Sequence, residues 1–448
     1  MRKKFTTIDD VVLTITSLNE RGYGVSEYNE RKVLVLDAIP GEELKVKIFN
    51  KKKGNYLAEK VEVIKASPYR EAALETHFLS CSPWQTISFP HENEFKKDLI
   101  KKFYFDNSVE IPDFDIANDQ MDFHYRNKME YSFYAYANER ISVAVHKRES
   151  SFHKDPIESC VLAPQKINSA IAAVVKIVND LKFHARELKG LQLRYSFYED
   201  KSIAVLFIKD GIQEEKILQN TKTIEKILAE FQVNGFIVIF SDPKMSAYVE
   251  TKIIKTFGEI EILECVIDKS LYYGYNNFFQ VNPSVFSLAL KDIINSISSI
   301  SDHKNRTAAD IYAGVGTIGL SISNLVKHVY CVEITEGSEE YFKKNAEKNK
   351  IINADFRSGM AEKIGLSLIT PEQILLLDPP RSGLHPDVIY QITRTLPEDI
   401  IYLSCNPKTQ AEDIAKFITN YDITFFKAYN FYPHTPHVET LCVMKRKK

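Results

Sequence analysis

The sequence predicts an α/β protein: a doubly wound sheet of mainly parallel strands, preceded by a small N-terminal β-barrel and a central α+β domain. Three observations predict this class. Strands alternate with helices from about residue 285, short strands recur in the first 66 residues, and the segment between them has mixed periodicity. Because 448 residues exceed one ordinary hydrophobic core, we divide the chain into domains 1–66, 67–265 and 266–448.

The composition is that of an ordinary globular protein, with 44% hydrophobic and 26% charged residues. The net charge of −2 neither favours nor excludes a polyanionic partner, because a basic patch can lie on a neutral chain. No apolar run approaches the roughly 20 residues of a membrane helix, so we expect no membrane partner. The dispersed cysteines predict a reduced, cytoplasmic protein rather than a disulfide scaffold. They are Cys81, Cys160, Cys265, Cys331, Cys405 and Cys442.

Alternating apolar residues separated by turns predict the barrel in residues 1–66. The strand signals fall at 11–15, 32–36 and 43–48, with glycine-containing turns at 21–24 and 39–42. Basic residues near Tyr56 suit the backbone of a nucleic acid. A solvated charged edge that blocks strand pairing is an equally good interpretation. The basic residues are Lys45, Lys47, Lys51, Lys52 and Lys53.

Mixed signals predict an α+β domain in residues 67–265, after a linker at 66–70. Strands are expected at 131–136, 191–195 and 203–208, and helices at 94–105, 166–182 and 214–231. We expect that the helix near 94–105 can pack on the last domain.

The last domain predicts a Rossmann-like sheet, because a helix at 285–298 is followed by five strands with helical segments between most of them. A ligand should then lie outside the carboxyl ends of the strands. The strands are expected at 306–311, 329–333, 373–378, 400–404 and 438–444.

A glycine-rich loop follows the first of these strands and opens a helix. Gly314, Gly316 and Gly319 have the G-x-G-x-x-G spacing of nucleotide-binding loops, in which glycine lets a ligand approach the backbone. Glu333 ends the next strand, where a carboxylate can hold two ribose hydroxyls. The pattern fits NAD, FAD or S-adenosylmethionine equally, and a tight turn that only packs helix on strand is the alternative.

Asp-Pro-Pro-Arg at 378–381 ends another strand. Two prolines fix the backbone where the sheet meets its cleft, and Asp378 can accept hydrogen bonds from a ligand. Arg381 suits recognition of a phosphate or a carbonyl group. A solvated turn without a role is the alternative.

Ser-Cys-Asn-Pro at 404–407 follows the next strand. Pro407 suits the first helical position and Asn406 the N-cap. Cys405 is then expected at the positive end of a helix, where thiol pKa values fall, and is a candidate nucleophile. Without this setting it would be interpreted as an inert core cysteine.

His-Thr-Pro-His-Val-Glu at 434–439 leads into the last strand. Glu439 can be a general base, with His434 or His437 positioning the substrate or the carboxylate. A His-x-x-His-x-Glu metal site is the alternative. It is weakened by Pro436, which excludes the helix that usually presents such ligands.

Together these residues resemble the uracil-C5 RNA methyltransferase family, which makes 5-methyluridine in ribosomal and transfer RNA. The resemblance covers nearly the whole chain. Its N-terminal barrel is similar to a TRAM domain, an RNA-binding module, through the Pro-Gly-Glu turn at 40–42. The segments 125–128 and 278–283 and the last three motif blocks match in the family's order. The resemblance implies a class I methyltransferase domain that uses S-adenosylmethionine.

The resemblance also implies a role for each matched residue. Cys405 corresponds to a nucleophile that adds to carbon 6 of uracil, and Glu439 to the base that removes the proton from carbon 5. The target base must leave its stack to reach the cleft. The matched cofactor-binding positions are Gln280, Tyr312, Thr317, Glu333 and Asp378, and the glycine spacing adds Gly314 and Gly316.

One departure from the family concerns an iron–sulfur cluster. Many members hold one with a Cys-Gly-Gly-Cys block, an upstream cysteine and a later cysteine. Here Leu79 and Ser82 occupy the two cysteine positions of that block, Cys81 is displaced, and Cys160 matches the later ligand. Because two thiols cannot supply four ligands, we expect no iron–sulfur cluster, no metal site and a colourless protein.

RNA is the expected partner, with ribosomal RNA favoured over transfer RNA because of the TRAM-like barrel, and we expect a monomer. Two other functions are weighed. An NAD- or FAD-dependent oxidoreductase would leave Cys405, Glu439 and the barrel unexplained. A non-catalytic RNA-binding protein with a vestigial fold conflicts with intact candidates for nucleophile, base and cofactor contacts.

Overall fold

The computed structural model describes residues 7–150, 153–209, 213–246 and 248–448. The first six residues of the predicted barrel domain therefore lie outside the described residues. None of the described helices is both long enough and apolar enough to cross a membrane.

The N-terminal domain is a six-stranded, curled sheet with the strand order β1-β5-β6-β4-β3-β2. Val11 and Leu13 alternate with exposed residues and point into its core, as a period of two requires. The curl brings the end of β1 to β3, where the Thr16 N–H donates to the Val25 carbonyl (2.8 Å). The strands are β1 (Ile8–Thr14), β2 (Ser17–Leu18), β3 (Gly24–Tyr28), β4 (Arg31–Leu36), β5 (Glu43–Lys52) and β6 (Asn55–Lys65).

The linker after the barrel is tied back to it by Arg70. Its guanidinium donates to the carboxylates of Glu42 (2.8 Å) and Asp37 (3.0 Å). Glu42 is fully buried, and its carboxylate also accepts the Ile39 N–H (2.9 Å). This hydrogen bond stabilises the turn at 39–42. The indole of Trp84 donates to the Gly22 carbonyl (3.4 Å), which brings the turn at 21–24 against the following segment.

Three elements follow: α1 (Phe78–Cys81), α2 (Phe89–Asp106) and β7 (Ile116–Ala117). The long helix α2 packs on the C-terminal part of the chain. The Tyr104 hydroxyl donates to the Gln410 side chain (2.6 Å), and the Lys96 ammonium donates to Asn430 (2.7 Å). The short strand β7 pairs in parallel with residues 428–429.

The central domain is a seven-stranded sheet with the order β10-β9-β8-β11-β12-β13-β14. Helix α3 covers it with apolar residues spaced three or four apart, such as Ile167, Ile171 and Val174. The helix predicted at 214–231 is two helices, since the Asn220 side chain donates to the Lys216 carbonyl (2.8 Å) and α5 begins after it. The elements are β8 (Lys128–Ala135), β9 (Ile141–His146), β10 (Lys154–Ile157), α3 (Gln165–Asp180), β11 (Leu188–Ser196), β12 (Lys201–Ile208), α4 (Gln213–Gln219), α5 (Thr221–Glu230), β13 (Gly235–Phe240) and β14 (Lys252–Gly258).

A hairpin, β15 (Ile262–Val266) and β16 (Lys269–Tyr273), spans the domain boundary predicted at 265–266, and the chain continues as an eight-stranded sheet. The remaining elements are α6 (Pro283–Ser298), β17 (Thr307–Ile311), α7 (Thr317–Ile322), β18 (His328–Glu333), α8 (Ser338–Lys348), β19 (Ala354–Ser358), β20 (Ile374–Leu377), α9 (Pro386–Thr395), β21 (Asp399–Ser404), α10 (Pro407–Ile414), β22 (Tyr421–Tyr429) and β23 (Glu439–Arg446).

The strand order of this sheet is β19-β18-β17-β20-β21-β23-β22-β7. The pairs from β19 to β21 are parallel, whereas β23 runs antiparallel between β21 and β22. The central strands are buried on both faces, and β20 is apolar along its whole length, as expected for a parallel sheet covered by helices. The predicted doubly wound α/β class is confirmed.

Candidate active site

The predicted site residues meet at one edge of the eight-stranded sheet. Parallel strands end on the same side, so the residues that follow β17, β20 and β21 and the last residue of β18 share that edge. Because β23 is antiparallel to β21, its first residue lies there too. These residues are Tyr312, Glu333, Asp378, Cys405 and Glu439.

The glycine-rich loop after β17 has an unusual backbone. Tyr312, Gly314 and Gly316 all have positive φ angles, of 72°, 57° and 84°. A Cβ atom on Gly316 would lie 2.4 Å from the ring of Phe342, so no larger residue fits there. At Gly314 a Cβ atom would meet nothing closer than 3.9 Å. The backbone at Gly314 is therefore open to a ligand.

Glu333 is fixed against this loop. Its Oε2 accepts the Gly314 N–H (3.0 Å), and its Oε1 accepts the Thr335 N–H (2.8 Å) and hydroxyl (2.7 Å). A carboxylate offers about four acceptor sites in all. Because Oε1 of Glu333 already accepts several hydrogen bonds, Oε2 is the oxygen with room for a further donor. The carboxylate can therefore accept one ribose hydroxyl more readily than the two that the sequence predicted.

A narrow crevice under the loop is lined by five of the seven predicted cofactor residues: Gln280, Tyr312, Gly314, Thr317 and Asp378. The Gln280 amide donates to Asp378 Oδ2 (3.2 Å) across it. Of the other two predicted cofactor residues, Gly316 is buried within the loop. Glu333 lies next to the crevice and accepts a hydrogen bond from the Gly314 N–H.

The crevice is acidic and poorly solvated. Burial raises the pKa of Asp378 to about 8 and that of Asp310, below the loop, to about 7. The negative charge of each neighbouring carboxylate adds to the rise, while hydrogen bonds from Gln280 and from the Gly319 N–H oppose it. None of the described residues that line the crevice is basic. A positively charged ligand would relieve this accumulation of acidic groups.

Gln280 is held from the central domain. The side chain of Asn127, which belongs to the predicted signature at 125–128, donates to the Gln280 carbonyl (3.0 Å). The Asn127 N–H donates to the Val281 carbonyl (3.0 Å), and the residue is fully buried. The segments 125–128 and 278–283, which are distant in sequence, therefore form one supporting unit.

Cys405 and Glu439 lie side by side. The register of β21 and β23 pairs Ser404 with Thr440, and Cys405 and Glu439 are the next pair in that register. Their electrostatic coupling agrees with this, because the Glu439 charge raises the pKa of the Cys405 thiol.

The expectation that the helix terminus lowers the pKa of the Cys405 thiol is wrong. Burial, and after it the charges of Glu439 and Asp378, raise this pKa to about 12. The Arg381 guanidinium and the Cys405 N–H act in the opposite direction but do not compensate. Asn406 does not cap α10 with its side chain, which instead donates to the Arg381 carbonyl (2.9 Å).

Glu439 is a buried carboxyl, 1% exposed. The Tyr432 hydroxyl donates to its Oε1 at 3.4 Å, and its Oε2 has no hydrogen-bond partner among the described residues. Burial, and secondly the charge of Asp378, raise the pKa of Glu439 well above its usual value. An unpaired carboxylate oxygen at the cleft is suited to accept a proton from a substrate.

The histidines of the 434–439 block do not position Glu439. The His434 ring stacks on Phe123 with 4.2 Å between ring centroids. Burial and four nearby cations lower the pKa of His437 to about 3, so its imidazole is neutral. Neither is among the described residues that converge as metal ligands, so the metal alternative for this block gains no support. The residue that does contact Glu439, Tyr432, carries no sequence signal of that role.

The segment before Glu439 is anchored by α2. The fully buried Lys96 ammonium donates to Glu92, to Asn430 (2.7 Å) and to the Tyr432 carbonyl (3.1 Å). The Glu92 carboxylate also accepts the His434 N–H (2.7 Å). This buried ion pair therefore fixes the chain that carries Tyr432 and leads to Glu439.

With this geometry established, comparison with known proteins identifies the family. The model of the tRNA (Uracil-5-)-methyltransferase family matches residues 89–447. The chain belongs to this family. A second model, the TRAM domain of tRNA (uracil(54)-C(5))-methyltransferase, matches residues 12–69 of the curled N-terminal sheet.

Curated members of the family align along nearly the full chain. An uncharacterized RNA methyltransferase of Caldanaerobacter subterraneus subsp. tengcongensis is 26% identical, over 97% of this chain and 98% of its own. One from Synechocystis sp. is 28% identical, over 97% and 95%. The crystal structure of Pyrococcus abyssi tRNA (uracil-54, C5)-methyltransferase with S-adenosyl-L-homocysteine superposes with a TM-score of 0.75. It covers 97% of this chain and 100% of its own at 22% identity, which shows a shared fold.

Family membership confirms the expectation of an RNA methyltransferase that uses S-adenosylmethionine, and the TRAM domain confirms RNA as the class of partner. The oxidoreductase alternative is thereby excluded.

Proposed function

We propose that this family member methylates carbon 5 of a uridine through a covalent adduct to Cys405, with Glu439 as the base. The placement of Cys405 and Glu439 as consecutive cross-strand neighbours is the observation that carries the proposal. A nucleophile and a base that act on adjacent atoms of one pyrimidine ring must lie next to each other, and these two residues do.

S-adenosylmethionine fits the crevice beside Gly314. The open backbone at Gly314 gives room for a nucleoside, and two buried oxygens have no hydrogen-bond partner within the described part of the chain, Gln280 Oε1 and Asp310 Oδ1. In this proposal Glu333 Oε2 accepts a ribose hydroxyl, and the carboxyls of Asp310 and Asp378 favour the positive sulfonium. The pyrophosphate of NAD or FAD would meet two acidic side chains there and no basic one among the described lining residues. A thermal shift with S-adenosylhomocysteine and none with NADH is expected.

The first half of the proposed cycle forms two bonds. The electron pair of the Cys405 thiolate forms a bond to carbon 6 of uracil, and the carbon 5–carbon 6 π pair moves toward oxygen 4 as an enolate. Carbon 5 then attacks the sulfonium methyl group. The methyl–sulfur bond breaks, and its electron pair stays on the departing S-adenosylhomocysteine.

In the second half, Glu439 Oε2 accepts the proton from carbon 5. The pair of that carbon–hydrogen bond restores the carbon 5–carbon 6 double bond, and the carbon 6–sulfur bond returns its pair to Cys405. The raised pKa of Glu439 makes its carboxylate a stronger base for this step. The net products are 5-methyluridine, S-adenosylhomocysteine and one proton.

Arg381 is placed to assist this chemistry. Its charge lowers the pKa of both Cys405 and Glu439, so the guanidinium faces the site. Its carbonyl accepts from Asn406 (2.9 Å) and Thr409 (3.3 Å), which ties the loop after β20 to the start of α10. We propose that Arg381 stabilises the Cys405 thiolate. It also binds a carbonyl oxygen of the target uracil, on which enolate charge develops.

The target RNA has two candidates. The preference for ribosomal RNA depends on the TRAM-like barrel, but the matching TRAM model is that of a transfer RNA enzyme, so the barrel does not favour ribosomal RNA. Three lysines of the barrel form ion pairs: Lys45 with Asp10, Lys47 with Asp9 and Lys52 with Glu149. These pairs reduce the positive charge that the barrel presents to an RNA backbone. Mapping 5-methyluridine in both RNA classes of a deletion strain decides between them.

Trapping with 5-fluorouridine RNA tests the covalent step. Fluorine on carbon 5 cannot leave as a proton does, so the methylated adduct should persist and survive denaturing electrophoresis. We expect a shifted band with the unaltered enzyme and none with Cys405→Ala. A matched control is Cys265→Ala, which lies outside the site and should retain the band. A band that persists in Cys405→Ala would refute the proposal.

A further inference from the structure

Four potential metal ligands converge away from the catalytic edge. Glu75, His77, Cys81 and Cys160 each present one ligand atom, and these four atoms all lie within 4.8 Å of one another. The first three belong to the segment that leads from the linker through α1, and Cys160 follows β10 of the central domain. The cluster therefore joins two parts of the chain that are distant in sequence.

The cluster is supported from outside. Glu75 Oε1 accepts the Val161 N–H (2.6 Å), which aims the carboxylate inward. The side chain of Asn168 holds the backbone of Cys160 on both sides, because it accepts the Cys160 N–H (3.0 Å) and donates to its carbonyl (3.2 Å). Such second contacts orient the ligands of metal sites.

One atom of the cluster is unsatisfied. His77 is 9% exposed, and its Nε2 is buried without a hydrogen-bond partner among the described residues. It lies 3.3 Å from Glu75 Oε2, at the distance of two ligands of one ion rather than in hydrogen-bonding geometry. A buried imidazole nitrogen without a partner is costly in a folded protein, and a metal ion would satisfy it.

The donor set selects the kind of metal. Two thiolates, one imidazole and one carboxylate suit a tetrahedral Zn²⁺ ion, whereas Mg²⁺ and Ca²⁺ prefer oxygen ligands. With bonds of about 2.0–2.3 Å the ligand atoms of such an ion are roughly 3.3–3.8 Å apart. The observed spread of up to 4.8 Å needs only a small contraction. An iron–sulfur cluster with four cysteine ligands does not fit two thiols.

We propose that Glu75, His77, Cys81 and Cys160 bind one Zn²⁺ ion, which fixes the segment between the barrel and α2 onto the central domain. Both cysteines bind such an ion as thiolates. His77 also lines an open surface crevice, through which an ion can reach the site. The expectation of no metal site is thereby revised. That expectation was based on the number of cysteines alone. The proximity of His77 and Glu75 to the two thiols depends on the tertiary structure.

Metal analysis of the full chain tests the proposal directly. After purification in reducing buffer we expect about one zinc per chain. After chelation, addition of Zn²⁺ alone should raise the melting temperature, and addition of Co²⁺ alone should give the visible bands and thiolate charge-transfer absorption of a tetrahedral site with two sulfur ligands. These readouts do not depend on methyltransferase activity.

Variants identify the ligands. Cys160→Ser should lose stoichiometric zinc and the charge-transfer absorption, and the matched control Cys265→Ser should retain both. If Cys160→Ser does not fold, Glu75→Gln replaces a ligand while keeping an acceptor for Val161, and should weaken zinc affinity at least tenfold. Less than 0.1 zinc per chain together with no cobalt absorption would refute the site, and so would about four irons per chain or a Cys81–Cys160 disulfide that persists under reducing conditions.

Discussion

Cys405, the residue after β21, lies opposite Glu439, the first residue of β23, one step beyond the pair of Ser404 and Thr440. The parallel strand β21 thus ends beside the start of the antiparallel strand β23, which places a thiol next to a carboxyl at the edge of the sheet. Burial is the main cause that raises the pKa of the Cys405 thiol, and the Glu439 charge is the second. The Cys405 thiolate and the Glu439 carboxylate are therefore expected to be charged at different stages of catalysis.

The raised thiol pKa predicts how Cys405 reacts with alkylating agents in the absence of RNA. With a pKa of about 12, the thiolate fraction and the alkylation rate should rise about tenfold per pH unit between pH 7 and 10 without levelling off. Glu439→Gln removes the second cause of the rise and should accelerate alkylation at each pH. Mass spectrometry of the Cys405 peptide measures the rate. A plateau below pH 8 would contradict the burial argument.

The base assignment predicts a stalled intermediate in Glu439→Gln. Addition of Cys405 and methyl transfer can proceed, but the proton on carbon 5 has no acceptor, so the enzyme should accumulate joined to ordinary RNA. Denaturing electrophoresis should show the shifted band, and turnover should fall by roughly 10²-fold or more. The double variant with Cys405→Ala should show no band. Normal turnover in Glu439→Gln would require another base, with Asp378 the first to reconsider.

Glu333→Ala should weaken binding of S-adenosylhomocysteine. The variant loses one charge-assisted hydrogen bond to the ribose, worth about 1.5–3 kcal/mol, so the Kd should rise roughly 10- to 150-fold by titration calorimetry. The Gly314 N–H also loses its acceptor, and circular dichroism should show that the fold persists. Glu336→Ala, an exposed acidic neighbour, serves as the control with unchanged affinity. A change below twofold in Glu333→Ala would place the ribose elsewhere.

The buried ion pair of α2 predicts a large loss of stability in Lys96→Met. The change leaves the Glu92 carboxylate buried without its cation, which costs about 3–5 kcal/mol in the free energy of unfolding. Lys97→Met is the matched control, because the Lys97 ammonium forms an ion pair with the exposed Asp113 and lies over the Phe114 ring, and its loss should change stability by about 1 kcal/mol or less. Urea denaturation measures both. Equal effects of the two substitutions would mean that the ion pair does not anchor the segment before Glu439.

The elements of the fold could be predicted from the sequence wherever one pattern dominated. The last residues of the strands that end at Ile311, Glu333 and Ser404 were predicted correctly and their first residues to within one, because each is a short apolar run closed by a motif. The helix predicted at 214–231 was wrong in one respect, since a local side-chain bond from Asn220 divides it. Helix α2 was predicted over 94–105 but begins at Phe89, where Pro90 in its first turn starts the helix without a side-chain cap.

The candidate site was predicted as a set of strand-end residues, but its electrostatics were not. The helix start after Cys405 indicated a lowered thiol pKa, whereas burial and two carboxyls reverse the sign. Tyr432 and Asn127 were missed as supports of Glu439 and Gln280, because their contacts join segments that no local pattern relates.

The sequence by itself determined the order of strands and helices, the glycine loop, and the residue types available for chemistry at the sheet edge, since these depend on local periodicity and turn geometry. Only the tertiary structure decided which side chains meet across strands, how deeply they are buried and what charges surround them. The Cys405–Glu439 pair and the convergence of His77 with Cys160 are of this second kind. Desolvation and Coulomb interactions depend on distances in space, and sequence spacing does not specify those distances.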